Sequence, residues 1–161
     1  NDGRVTLEEY EKSFHPEQQS GGLVRFRLGG SGDVSSTHLE WRRTRGIPYV
    51  TGPLLYRDLL YIVRNGGILT VLEPRDGKVL REERLKDAIG DYYASPVAGD
   101  GKIYFVNQEG KVSVIQAGAD WKVLATGDLD EQVIATPAIS GNSLYIRTAG
   151  HLYCVLTPDS Q

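Results

Sequence analysis

One feature limits what this chain can become: it repeats itself. Thr51-Gly52-Pro53-Leu54-Leu55, Tyr93-Ala94-Ser95-Pro96-Val97 and Ala135-Thr136-Pro137-Ala138-Ile139 hold matching places, with their prolines 43 and 41 residues apart. Each is followed by an apolar run with tyrosine in the same slot: Asp58-Leu59-Leu60-Tyr61-Ile62-Val63, Gly101-Lys102-Ile103-Tyr104-Phe105-Val106 and Asn142-Ser143-Leu144-Tyr145-Ile146. A glycine-bearing turn and another apolar run come next, at Gly66-Gly67-Ile68-Leu69, Glu109-Gly110-Lys111-Val112 and Ala149-Gly150-His151-Leu152. Asp76-Gly77-Lys78 and Asp120-Trp121-Lys122 share a further slot, 44 residues apart. Units of this kind cannot bury their apolar faces alone and must stack on copies of themselves.

A period of ~40–45 residues built from strand-length runs is the mark of a β-propeller blade. The expected fold is therefore all-β, a propeller of four-stranded antiparallel blades, with about three and a half blades in this chain and a short N-terminal helix. The first blade is expected at residues 49–85, with strands near 49–55, 58–64, 68–73 and 78–84. The second, at 91–129, has strands near 92–98, 102–107, 111–116 and 122–128. The third, at 131–156, has strands near 132–139, 143–148 and 151–156 and lacks its outer strand. Leu23-Val24-Arg25-Phe26-Arg27-Leu28 and His38-Leu39-Glu40-Trp41-Arg42-Arg43 supply a half blade over 22–44. Each first strand contains proline (Pro53, Pro96, Pro137), which an edge strand tolerates and a central strand does not. The charged run Arg81-Glu82-Glu83-Arg84 suits an outermost edge. Three and a half blades do not close a ring when propellers have ~4–8. The partners implied are a missing propeller half or a second copy of the chain.

Residues 1–21 read differently. Asp2-Gly3, five residues and then Glu9 match the second half of an EF-hand calcium loop, whose full pattern is D-x-[DN]-x-[DN]-G-x5-E. In that reading Asp2 and Glu9 offer carboxylates, Arg4 a main-chain carbonyl, and Gly3 the sharp turn. The first two carboxylate positions of the pattern are not in this sequence, so calcium is expected only where a full loop is present. A helix over 7–14, ending at His15-Pro16, and a polar linker follow. Thr6 as N-cap with Glu9 as its capping-box partner explains the same residues without metal.

Composition sets outer bounds. A net charge of −3 argues against nucleic acid as a partner. No apolar run reaches the ~18–20 residues of a membrane-spanning helix. The one cysteine, Cys154, lies in Leu152-Tyr153-Cys154-Val155-Leu156 and is expected as a small buried hydrophobe. His38 has no second ligand at metal spacing.

The cadence Ser95-Pro96-Val97 … Gly101-Lys102-Ile103-Tyr104-Phe105-Val106 … Glu109-Gly110-Lys111-Val112-Ser113-Val114-Ile115 … Lys122-Val123-Leu124 resembles the pyrroloquinoline-quinone-like propeller repeat. That repeat is shared by quinoprotein dehydrogenases and by the lipoprotein of the bacterial outer-membrane protein assembly machine. The resemblance implies a periplasmic or extracellular protein. For an enzyme of this kind it also implies an axial quinone held with calcium, a catalytic Asp, a tryptophan platform and often adjacent cysteines. None of these groups can be matched here: Trp41 lies in an outer strand, Trp121 in a turn slot, and Cys154 is single. No catalytic residue is assigned and no cofactor is expected in this chain. The function expected is a non-catalytic scaffold or protein- or peptide-binding module, part of a larger propeller. The alternative is a fragment of a quinoprotein-type oxidoreductase whose cofactor residues lie elsewhere. A hydrolase or lyase using Asp91, Tyr92 or Arg147 has no paired carboxylates or Ser/His/Asp pattern behind it. By the repeat alignment Tyr49, Asp91, Tyr92, Tyr93, Glu131 and Gln132 approach the axis, and they are the candidate binding residues.

Overall fold

The computed structural model describes residues 22–156. The helix expected over 7–14 and the EF-hand residues Asp2, Arg4 and Glu9 lie outside that range. The described residues are all-β, and they include no helix long and apolar enough to cross a membrane. The chain divides at Arg45/Gly46 into two compact units.

In the first unit, β1 (Leu23–Phe26) pairs antiparallel with β2 (Leu39–Arg43). Arg25 forms a 2.6 Å ion pair with Glu40 across the ribbon. His38 bonds to the neighbouring Thr37, Nδ1 to Oγ1, at 2.8 Å.

The second unit holds three antiparallel sheets, one per repeat. The first is β3 (Leu54–Tyr56), β4 (Leu59–Arg64), β5 (Ile68–Leu72) and β6 (Val79–Arg84), in that order. The second is β7 (Val97–Gly99), β8 (Lys102–Val106), β9 (Lys111–Gln116) and β10 (Val123–Asp128). The third is β11 (Ala138–Ser140), β12 (Ser143–Arg147) and β13 (Leu152–Leu156). Among the described residues no fourth strand pairs with β13. These are propeller blades in a partial ring. The repeat extends to irregularities: the register slips at Val71/Leu72 against β6 and at Val123/Ala125 against β9, where Leu80 and Leu124 bulge outward and stay exposed.

The inner strands differ from expectation. They are three residues long, beginning after each proline rather than containing it. The cause lies in where the preceding amides go. Gly52 N donates to Ser95 Oγ at 2.8 Å, and Ser95 N donates to Thr136 Oγ1 at 3.0 Å. These equivalent positions are joined around the blades, not along a ladder, and the following proline has no N–H to offer a ladder.

Two cores fill the seams. Between the first and second blades, Tyr61, Val63, Leu69 and Val71 meet Tyr92, Ile103, Phe105, Ile115 and Trp121. Between the second and third, Val106 meets Val133, Leu144 and Ile146, with Val97, Tyr104 and Tyr153 packed alongside. Central strands β4 and β5 are largely buried, as unbroken apolar runs require. Cys154 departs from expectation. It is exposed, because its strand is the outer one of the described third sheet and nothing described packs on its side.

Candidate functional site

The turns between second and third strands gather the candidate residues. Blades one and two join these strands through the loops 65–67 and 107–110, each ending in a left-handed glycine: Gly67 at φ 71° and Gly110 at φ 89°. A methyl group on Gly67 would lie 2.5 Å from the Ala88 carbonyl oxygen, and one on Gly110 would lie 2.4 Å from that of Glu131. Each glycine thus lets its turn press against the link to the next blade. Hydrogen bonds complete the contact. Gln108 N donates to Asp91 O at 2.7 Å, Val133 N to Gln108 O at 3.0 Å and Ala149 N to Gln132 O at 2.9 Å.

Around the third blade's turn, Glu131 takes the leading part. Its Oε2 accepts from Thr148 Oγ1 at 2.6 Å and from Gly150 N at 2.9 Å, and its Oε1 meets His151 Nδ1. These donors, Thr148 first, hold its carboxyl down at about 2. A carboxylate so fixed does not carry protons near neutrality; it clasps. Gln108, Glu109, Asp130, Glu131 and Gln132 line a shallow depression at this place.

Of the six candidates, Glu131 and Gln132 line the depression together with Gln108, whose amide bonds the Asp91 carbonyl. Tyr92 is not with them: it is 1% exposed, its amide donates to Asn65 Oδ1 at 2.9 Å, and its hydroxyl donates to Ala88 O at 2.8 Å. Burial lifts that hydroxyl above the ordinary tyrosine range, so Tyr92 is a neutral core residue. Tyr49 is exposed and Tyr93 half-buried, and neither hydrogen-bonds to the group. Trp121 keeps its turn slot but is buried in the first seam, with the Arg81 guanidinium 4.3 Å from its ring centroid. Sequence reasoning passed over Thr148, His151, Ser95 and Thr136. The last two carried a signal, a small or hydroxyl residue before each repeated proline.

No group of three or more His, Cys, Asp or Glu side chains suited to a metal ion occurs among the described residues. The depression offers carboxylates and amides without a nucleophile–base pair. What the arrangement can do is join blades and present a polar rim.

No curated protein matches the chain by sequence. Solved structures match it by fold. BamB from Moraxella catarrhalis aligns with TM-score 0.64 at 16% identity, over 84% of this chain and 40% of that one. Quinohemoprotein alcohol dehydrogenase ADHIIG from Pseudomonas putida HK5 aligns with TM-score 0.53 at 15% identity, over 66% of this chain and 17% of that one. A europium-containing methanol dehydrogenase aligns with TM-score 0.51 at 12% identity, over 76% and 22%. The chain thus spans less than half the length of these proteins, and at such identities the likeness is one of fold. A family model described as outer membrane protein assembly factor BamB matches residues 33–160. That match takes in the three blades and reaches back through β2, so the chain belongs to this family of pyrroloquinoline-quinone-like propeller repeats.

Proposed function

We propose that these blades form part of a larger, non-catalytic propeller that acts as a protein-binding scaffold on the periplasmic or extracellular side. The observation that carries this reading is the use made of the polar groups at the blade turns. Glu131 is saturated by Thr148, Gly150 and His151, and the Tyr92 hydroxyl is spent on Ala88 O. Those groups are taken up in structural hydrogen bonds around the depression, which Glu109 and Asp130 also line. The family's description, an assembly factor for outer-membrane proteins, supports a protein partner over a small substrate. The neighbouring dehydrogenases keep the oxidoreductase reading as the alternative that the experiment must exclude.

The test adds pyrroloquinoline quinone and calcium to the purified chain and follows alcohol-dependent reduction of an electron-accepting dye. We expect no turnover and no change in quinone absorbance. Photo-crosslinkers at exposed turn residues, such as Gln132, are expected to capture proteins of outer-membrane assembly in envelope preparations. Sustained dye reduction would overturn the scaffold reading.

A further inference from the structure

The turns of the second and third blades do not match residue for residue. Residues 107–111 lie between the paired Val106 and Val112, and 148–151 between the paired Arg147 and Leu152, so the third blade's turn is one residue shorter. Hydrogen bonds align the two. Lys111 N donates to Asn107 Oδ1 at 2.7 Å, and His151 N to Thr148 Oγ1 at 2.9 Å. Gln108 N and Ala149 N reach the link carbonyls of Asp91 and Gln132. Asn107 thus answers to Thr148, Gln108 to Ala149, Gly110 to Gly150 and Lys111 to His151. Glu109 has no counterpart; it is the residue that the third blade's turn drops. On the links Asp91 answers to Gln132, so Gly90 answers to Glu131.

The carboxylate missing from that turn reappears on the link. At the junction of blades one and two, Glu109 stands over Gly90, where a methyl group would fall 2.2 Å from its Oε2. At the junction of blades two and three, Glu131 reaches the other way, its Oε2 accepting from Thr148 Oγ1 at 2.6 Å and from Gly150 N at 2.9 Å. Each contact therefore holds one carboxylate, and the side facing it is bare: a glycine link in one case, a shortened turn in the other. Each link also lies between two turns, that of the blade it leaves and that of the blade it enters: Gly66 N donates to Gly90 O at 2.7 Å and Leu129 N to Gly110 O at 3.0 Å. Main-chain bonds of this kind are common to the repeats and do not tell one turn from another. The carboxylate does. Were the Glu131 link to settle on the second blade's turn, Glu109 would face Glu131. Were the Gly90 link to take the third blade's turn, Thr148 Oγ1 and Gly150 N would lose their acceptor. The first mismatch opposes like charges and the second strands polar groups.

We propose that this contact is a matching rule by which each link recognises the turn of the blade it enters. A link with glutamate takes the short turn, and a link with glycine takes the turn that carries glutamate. The rule sets similar repeats in a defined order, at the step where repeat chains are prone to misassemble. It concerns the pairing of the blades with one another and holds whatever the propeller binds.

Urea unfolding of four chains tests the rule: the unmodified chain, Glu131→Gly, a glutamate inserted between Ala149 and Gly150, and the two changes together. The unmodified chain has one carboxylate at the contact, the single changes give none or two, and the combined chain has one again, carried by the turn. Each single change should raise the unfolded-to-folded ratio roughly tenfold, and the combined chain should return to within roughly threefold of the unmodified one. Losses that simply add, or a combined chain that does not fold, would overturn the rule. An inserted alanine should fail to rescue Glu131→Gly; rescue equal to that by glutamate would make turn length the cause and overturn the rule as well. Point substitutions repeat the test at the junction of blades one and two. Gly90→Ala should raise the ratio roughly tenfold beside Glu109, and clearly less once Glu109→Ala has emptied the space. The same loss in both backgrounds would count against the rule as decisively.

Discussion

The two seams of this molecule share a frame and differ in filling. Both are spanned at the inner edge by an amide-to-hydroxyl clamp, Gly52 to Ser95 and Ser95 to Thr136. Both have a turn glycine pressed on the next link, Gly67 on Ala88 and Gly110 on Glu131. Beyond that they part. Among the described residues the first seam is filled by Trp121, Tyr56 and Arg81, while the second lacks such a filling at one end and is clasped at the other by Glu131 and the Thr148–His151 turn. Backbone-determined contacts are thus common to the repeats, while side-chain filling is private to each seam. The filling can differ from seam to seam in this way because each junction of a repeat protein contributes separately to the whole.

The largest expected effect separates the fillings. Trp121→Ala should cost about 3–5 kcal/mol, the usual loss for a buried aromatic, while Tyr104→Phe in the second seam should leave stability within about 0.5 kcal/mol. Urea unfolding of both variants checks this, and equal losses would erase the contrast. A smaller effect tests what the seams share. Gly67→Ala and Gly110→Ala should each cost about 2–3 kcal/mol, because alanine is strained at positive φ and its methyl would strike a backbone carbonyl. A marked difference between the two would show that the frame is not common.

Next come the clamps. Ser95→Ala removes the acceptor of Gly52 N, and Thr136→Val that of Ser95 N; each should cost about 1 kcal/mol. Faster hydrogen exchange confined to the amide that lost its partner would locate the effect. The smallest is the pH dependence that arises at the Glu131 clasp. Glu131 is held at about 2, against 4.5 for a free side chain. The unfolded chain binds the proton more tightly, so the clasp's contribution is whole above about 4.5 and fades as pH falls toward 2. Glu131→Gln should flatten the stability profile in that window and leave it unchanged near neutrality in slope. An unaltered slope would mean that the clasp carries no linkage.

How much of this was legible beforehand follows the same division. The repeated blades, the strand order and the buried central strands could be read from residues 49–156, because period and binary pattern survive in every copy. The inner strands could not be bounded. Their amides bond to hydroxyls 43 and 41 residues away, a partnership invisible to local pattern. Tyr92 and Glu131 looked alike as axial candidates, yet one is a core residue and the other a clasp. Only their neighbours, Ala88 and Asn65 for Tyr92 and the Thr148–His151 turn for Glu131, decide between those roles. Cys154 was misjudged for a related reason: its apolar run predicts a strand correctly, but burial depends on what lies beside the strand.

The sequence by itself determined that the chain folds as repeated four-stranded blades, since spacing, turn glycines and alternation act through the backbone within one unit. The tertiary structure alone decided how each seam is filled among the described residues. That outcome depends on pairs of side chains contributed by different units, Tyr56 beside Trp121 in one case and Gly99 beside Val155 in the other, and no single unit encodes its neighbour's half of the contact.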